Sequence, residues 1–206
     1  MPRLVVATGN AHKIGELRAL LPGVTLVGLD AFPPTGAPDE TAPDYEGNAI
    51  IKARAAWRHT GVVSLADDSG LEVAALDGAP GIHSARYALG SDADRRRALL
   101  AAVAAKGPGA DRRARFVCAI ALAGVPPVLG YRWQDDCLLV RGVCEGVLID
   151  GERGEGGFGY DPLFLQPDLG RTFAELTAAE KHERSHRRRA VEALKPALFS
   201  FFGNFA

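Results

Sequence analysis

The chain has 206 residues, 47% of them hydrophobic and 24% charged, with a net charge of −1. This composition is that of a globular protein with length enough for a real core, and its near-neutral balance argues against general affinity for nucleic acid or anionic membrane. No apolar run approaches the ~20 residues that cross a bilayer, so neither partner is expected.

The start, Met1-Pro2-Arg3 followed by LVVA, lacks the length and cleavage pattern of a signal peptide, and a cytoplasmic chain is expected. A first strand is expected over residues 4 to 7, then a helix from about Ala11 to Leu21 with Ile14, Leu17, Leu20 and Leu21 on one face, stopped by Pro22-Gly23. VTLVGL, 24 to 29, reads as a second strand, and the Pro-, Gly- and acid-rich stretch after it as a loop. Asp44 is placed to cap a helix running to about Arg58. GVVSLA, 61 to 66, reads as a short buried strand that ends on two adjacent carboxylates, Asp67 and Asp68. LEVAAL and a turn at Gly78-Ala79-Pro80-Gly81 follow. Ser91 and Asp94 then form a capping pattern before a helix with Leu99, Leu100 and Val103 inward. Strands are expected over 113 to 124, 137 to 149 and LFLQP, with a Gly-rich loop, GERGEGGFGYDP, between the last two. A helical segment is expected from Thr177 to a point before Pro196. The absence of repeats or linkers predicts one integrated α/β unit over residues 1–206 with a mixed sheet flanked by helices. Cys118, Cys137 and Cys144 form no metal-binding pair and read as reduced structural thiols.

Four stretches carry chemistry. ATGNAHK, 7 to 13, joins a strand to a helix N-terminus, where unpaired amides favour an anion and Lys13 adds charge; the alternative is a plain turn capped by Asn10. The acids Asp39, Glu40, Glu46, Asp67 and Asp68 suit Mg²⁺, which takes one or two carboxylates and shares the rest with phosphates and water; for the first three the alternative is a solvated loop and a charged helix start. In GGFGYDP, 156 to 162, glycines allow close approach and the aromatic rings offer faces for a nucleobase, or else pack into the core. In KHERSHR, Lys181 and His186 would lie about 140° apart on one continuous helix, so both serve one ligand only if the helix breaks at Ser185.

In this order, TGNAHK (8–13), ETAPDYEGNAIIKA (40–53), ADDSGLEV (66–73), GAPGIHSARYA (78–88), GGFGYDPLF (156–164) and ELTAAEKHERSHR (175–187) resemble the inosine triphosphate pyrophosphatase family over almost the whole chain. The resemblance implies an elongated mixed α/β fold with a nucleotide cleft between two lobes, usually a homodimer. It also implies Mg²⁺-dependent cleavage of ITP, dITP and XTP to the monophosphate and pyrophosphate. It makes Thr8, Gly9, Asn10, Ala11, His12 and Lys13 the phosphate turn, Lys52 a further phosphate contact, and Glu40 and Asp68 metal ligands. Asp68 is also implied as the base for the attacking water, although the residues alone leave Asp67 as an alternative. Ser69 would touch substrate. Phe158, Gly159, Tyr160 and Asp161 would hold the base, completed by Lys181, His186 and Arg187. Two departures stand out: His83 sits where relatives often carry Tyr, and the tail SFFGNFA is unusually aromatic.

Overall fold

The computed structural model describes residues 3–203; Met1, Pro2 and residues 204–206, with them the end of the aromatic tail, lie outside the described range. The strands are β1 (Arg3–Val6), β2 (Thr25–Gly28), β3 (Ser64–Val73), β4 (Arg113–Ala123), β5 (Arg132–Gln134), β6 (Cys137–Leu148), β7 (Phe164–Gln166) and β8 (Arg171–Thr172). The helices are α1 (Ala11–Leu20), α2 (Tyr45–Thr60), α3 (Asp92–Ala104), α4 (Ala178–Arg184) and α5 (His186–Phe202). The strands pair in the order β2-β1-β3-β4-β6-β7-β8, with β5 on β6. Pairing is parallel for β1 with β2 and β3, and antiparallel for β6 with β5 and β7, so the sheet is mixed as expected.

The chain divides into two compact units. Unit 1 takes residues 1–68, 118–142 and 187–206. One apolar cluster joins Leu4, Val6 and Leu65 to Leu17 and Leu20 of α1, to Leu21 just after it, and to Val191, Leu194 and Leu198 of α5. A second joins Val5, Ala7 and Ala66 to Ala49, Ile50, Ala53 and Ala56 of α2. Alternate residues of β1 and β3 thus face opposite helical layers, as the period of two requires. Asp44 caps α2 by accepting from the Gly47 amide at 2.7 Å, and Gly61, at φ +67, ends it in the left-handed conformation.

Unit 2 takes residues 69–117 and 143–186. Its core packs Leu71, Val73, Leu99, Val103, Phe116, Leu148, Phe164 and Phe173. Ser91 and Asp94 form the expected capping box on α3. Gly154 adopts φ +82, and a Cβ there would lie 2.4 Å from the Ala174 carbonyl carbon. Gly154→Ala is therefore expected to cost this unit more than about 2 kcal/mol, since left-handed strain alone costs an L-residue about 1–2. Urea unfolding of the variant beside the parent checks this.

Three local expectations need correction. The acids do not end a short strand: β3 continues through Asp67 and Asp68 to Val73, because it lies inside the sheet between β1 and β4 and each carboxylate meets cations. The C-terminal helix does not stop before Pro196. It runs through to Phe202, held by burial of Leu194, Ala197 and Leu198, while Tyr131 Oη donates to the Ala193 carbonyl at 3.2 Å. Core burial here outweighs the hydrogen bond that proline removes. Finally, residues 132–134 form β5, a strand the sequence reading left out.

Candidate active site

The alternation of β3 settles where its acids go. Asp67 shares the face of Leu65, toward α1 and α5, and Asp68 shares the face of Ala66, toward α2. On the first face Asp67 Oδ2 lies 3.0 Å from Lys13 Nζ and 2.9 Å from Arg187 Nη2, and Arg187 Nη1 also pairs with Glu16. Burial raises the Asp67 carboxyl, but Lys13, Arg187 and Lys52 together outweigh it and hold it far below the usual carboxylate range. Burial likewise opposes the Arg187 cation, and Asp67 with Glu16 more than offsets it. Asp67 is a fixed anion.

On the second face, Lys52 Nζ lies 2.9 Å from both Glu40 Oε1 and Asp68 Oδ1. Asp68 Oδ2 is buried with no hydrogen-bond partner among the described residues. Burial lifts the Asp68 carboxyl above its ordinary value despite the opposing pull of Lys52. Across both faces four carboxylates, Glu16, Glu40, Asp67 and Asp68, meet three cations, Lys13, Lys52 and Arg187. No group of three or more His, Cys, Asp or Glu side chains forms a ready metal cage among the described residues. Two converging carboxylates, one with an unmatched buried oxygen, still fit an ion that draws its other ligands from phosphate and water.

The turn before α1 is built by Asn10. Its Oδ1 accepts from the His12 and Lys13 amides at 3.0 and 3.3 Å, and its own N–H donates to Thr8 Oγ1 at 3.2 Å. A Cβ on Gly9 would meet nothing within 4 Å, so the backbone is open to close approach there.

The aromatic loop of unit 2 is organised by Asp161. Its Oδ2 accepts from the Phe158 amide at 2.8 Å and from Lys181 Nζ at 2.7 Å, and the same ammonium sits 4.7 Å from the Phe158 ring centroid. Tyr160 Oη donates to the Ser84 carbonyl at 2.9 Å, and burial pushes that phenol up to about 12. The helix does break at Ser185, which is extended at ψ 151 between α4 and α5. His186, at the start of α5, stacks on Phe116 with centroids 4.9 Å apart.

A sequence model of the Ham1 family matches residues 4–197. The chain belongs to the Ham1 family. Among curated relatives, a dITP/XTP pyrophosphatase of Gloeobacter violaceus is 50% identical over 93% of this chain and 91% of its own length. The solved structure of the Staphylococcus aureus Ham1 protein matches with a TM-score of 0.83 at 38% identity, covering 97% of this chain and 99% of that one. A HAM1 protein from Coxiella burnetii matches at 0.82 and 39%, over 97% and 100%.

In this Ham1-family chain, Lys13, Glu40, Lys52, Asp68 and Arg187 gather around β3 in unit 1, near the turn of Thr8, Gly9, Asn10, Ala11 and His12. Phe158, Gly159, Tyr160, Asp161 and Lys181 gather in unit 2. Ser69 follows Asp68 on β3 and is half-buried. Arg187 is only 1% exposed, and its guanidinium engages Asp67 and Glu16. The sequence reading missed Glu16, a buried acid of α1 that pairs with Arg187. It also missed Asn48, a fully buried side chain whose Oδ1 accepts from the Ala42 amide at 3.0 Å and so ties the loop after Glu40 to α2. The i, i+4 spacing of Asn48 and Lys52 was the available signal.

Proposed function

We propose that this chain hydrolyses non-standard purine nucleoside triphosphates, ITP, dITP and XTP, to the monophosphate and pyrophosphate, and so removes them before they enter DNA or RNA. Curated relatives named dITP/XTP pyrophosphatase, at 41–50% identity, support that reading. The observation that carries it is Asp68: a buried carboxylate with one oxygen on Lys52 beside Glu40 and the other unmatched.

Cleavage between the α- and β-phosphates needs an in-line water and neutralised phosphate oxygens. Lys13 and Lys52 supply positive charge, and the turn at Thr8 to Lys13 lets backbone approach phosphate oxygens. Glu40 and Asp68 would hold Mg²⁺, which when bound offsets charge on the phosphate oxygens and on the leaving pyrophosphate. Asp68 orients water and takes its proton; its raised carboxyl and unmatched oxygen suit that task. Asp67, pinned by two cations and held strongly acidic, is the poorer base of the two. Hydrolysis of ITP in ¹⁸O-water tests the bond cleaved. Label in the monophosphate supports attack at the α-phosphorus, and label in pyrophosphate or release of orthophosphate contradicts it.

Selectivity rests on the purine edge. ITP and XTP carry a 6-oxo group where ATP has an amino donor, so protein donors aimed at O6 are left unmatched by ATP, at about 1–3 kcal/mol each. Phe158 stacks on the base, with Gly159, Tyr160 and Asp161 holding the loop and Lys181 and His186 donating. Engagement of Arg187 by Asp67 and Glu16 supports a role in fastening α5 to β3. His186→Ala is expected to lower the ITP-to-ATP ratio of kcat/KM by about tenfold. An unchanged ratio removes His186 from recognition.

The family resemblance supports a homodimer, which light scattering on the eluting protein tests. Among the described residues no helix is long and apolar enough to cross a membrane. The proposed place of action is the cytoplasm, and the net charge of −1 gives no general attraction to nucleic acid or anionic membrane.

A further inference from the structure

Gly159 lies in the middle of the aromatic loop with φ +61, and a Cβ built on it would meet nothing within 4 Å. Both of its backbone groups are nevertheless engaged, and both by α3. Asp92 Oδ2 accepts the Gly159 N–H at 2.8 Å, and Arg96 Nη1 donates to the Gly159 carbonyl at 2.8 Å. Asp92 and Arg96 stand four residues apart, so they project from one face of the helix. The second arm of the Arg96 guanidinium reaches Glu152 at 2.8 Å, so one side chain braces two points of the loop.

The platform behind this grip is firm. Ser91 and Asp94 cap α3, and Leu99 and Val103 bury its far turns in the core of unit 2. On either side of Gly159 the loop is fixed by contacts of its own, Phe158 N–H to Asp161 and Tyr160 Oη to Ser84. Gly159 has no side chain to do the same. A loop with glycines at 156, 157 and 159 has much conformational freedom to lose on binding. Holding its middle residue by both backbone groups removes that freedom beforehand.

We propose that Asp92 and Arg96 are positioning residues for purine recognition: they clamp Gly159, set where the Phe158 ring lies, and thereby govern affinity for the base without touching the phosphates. This rests on the reading of Phe158 to Asp161 as the base-binding loop.

The test uses the full chain with Asp92→Ala, Arg96→Ala and the conservative Asp92→Asn, whose side-chain oxygen still accepts the Gly159 N–H. Steady-state kinetics with ITP are combined with titration of inosine monophosphate, which carries the base, and of inorganic tripolyphosphate, which does not. Both alanine variants are expected to raise KM for ITP and Kd for inosine monophosphate about tenfold. Tripolyphosphate affinity stays at the parent value, kcat moves less than KM, and Asp92→Asn keeps most of the parent KM. Unchanged KM and Kd in the alanine variants overturn the proposal. So does equal weakening of tripolyphosphate, which signals general loss of structure. If the parent itself releases no pyrophosphate from any purine triphosphate, the proposed activity fails and the clamp is decided by amide hydrogen exchange. Faster exchange across residues 156–161 in Asp92→Ala, with weaker inosine monophosphate binding, upholds it; exchange equal to the parent overturns it.

Discussion

Asp68→Asn is expected to lower pyrophosphate release from ITP by about 10²- to 10⁴-fold, the usual worth of a positioned general base. The substitution keeps the shape of the side chain and an oxygen for Lys52, 2.9 Å away, so nucleotide binding should be largely kept. Stability separates loss of chemistry from loss of fold. Burial raises the Asp68 carboxyl, so ionising it costs the folded state, and that cost is present at pH values above the folded pKa. An amide avoids it, and the variant's melting temperature at pH 7 should equal or exceed the parent's. Near-normal turnover would remove Asp68 from the mechanism. A fall in turnover with a parallel fall in melting temperature would assign it a structural role instead.

Arg187→Met is expected to destabilise the protein by about 3–5 kcal/mol, because removing one partner leaves buried carboxylates uncompensated. Asp67 and Arg187 are both almost inaccessible to solvent, and Glu16 is 8% exposed. The pH dependence has a definite sign. The folded-state pKa of Asp67 is depressed, so the stability it contributes is fully present above the unfolded carboxylate value of about 3.9 and is lost as pH falls toward the folded one. The gap between parent and variant should therefore be widest at pH 7 and begin to shrink near pH 3, with most of it still present there because the folded carboxyl stays ionised at that pH. Adding Asp67→Asn to Arg187→Met should recover part of the loss, as coupled partners do. Strict additivity of the two single changes, measured by urea unfolding, would show that the pair does not act as a unit.

These two residues show what the sequence made legible and what it did not. Capping was legible because its chemistry is local. Asn10, Asp44, Ser91 and the break at Ser185 all fall where short polar side chains take up unpaired amides or end a helix. The order of the motifs revealed the family. The pairing of Arg187 with Glu16 was not legible, because the two are 171 positions apart and each looks like a solvated helical charge. Nor was β5, whose turn into β6 uses Asp135 and Asp136 at φ 49 and 60 instead of the glycine that announces such hairpins. Proline at 196 misled for a related reason: propensity argues locally, and the buried leucines around it decide globally. The division of labour between Asp67 and Asp68 needed the register of β3 against two helical layers. Once α1 and α5 lie on one face and α2 on the other, one acid is a fixed anion and the other is poised beside Lys52.

The most direct measurement is pyrophosphate release from ITP, dITP, XTP, ATP and GTP, with Mg²⁺ and after chelation. The account predicts release from the first three at least about tenfold faster than from ATP, and loss of that release on chelation. Tight binding of ITP without release, or equal rates for all five nucleotides, would contradict it.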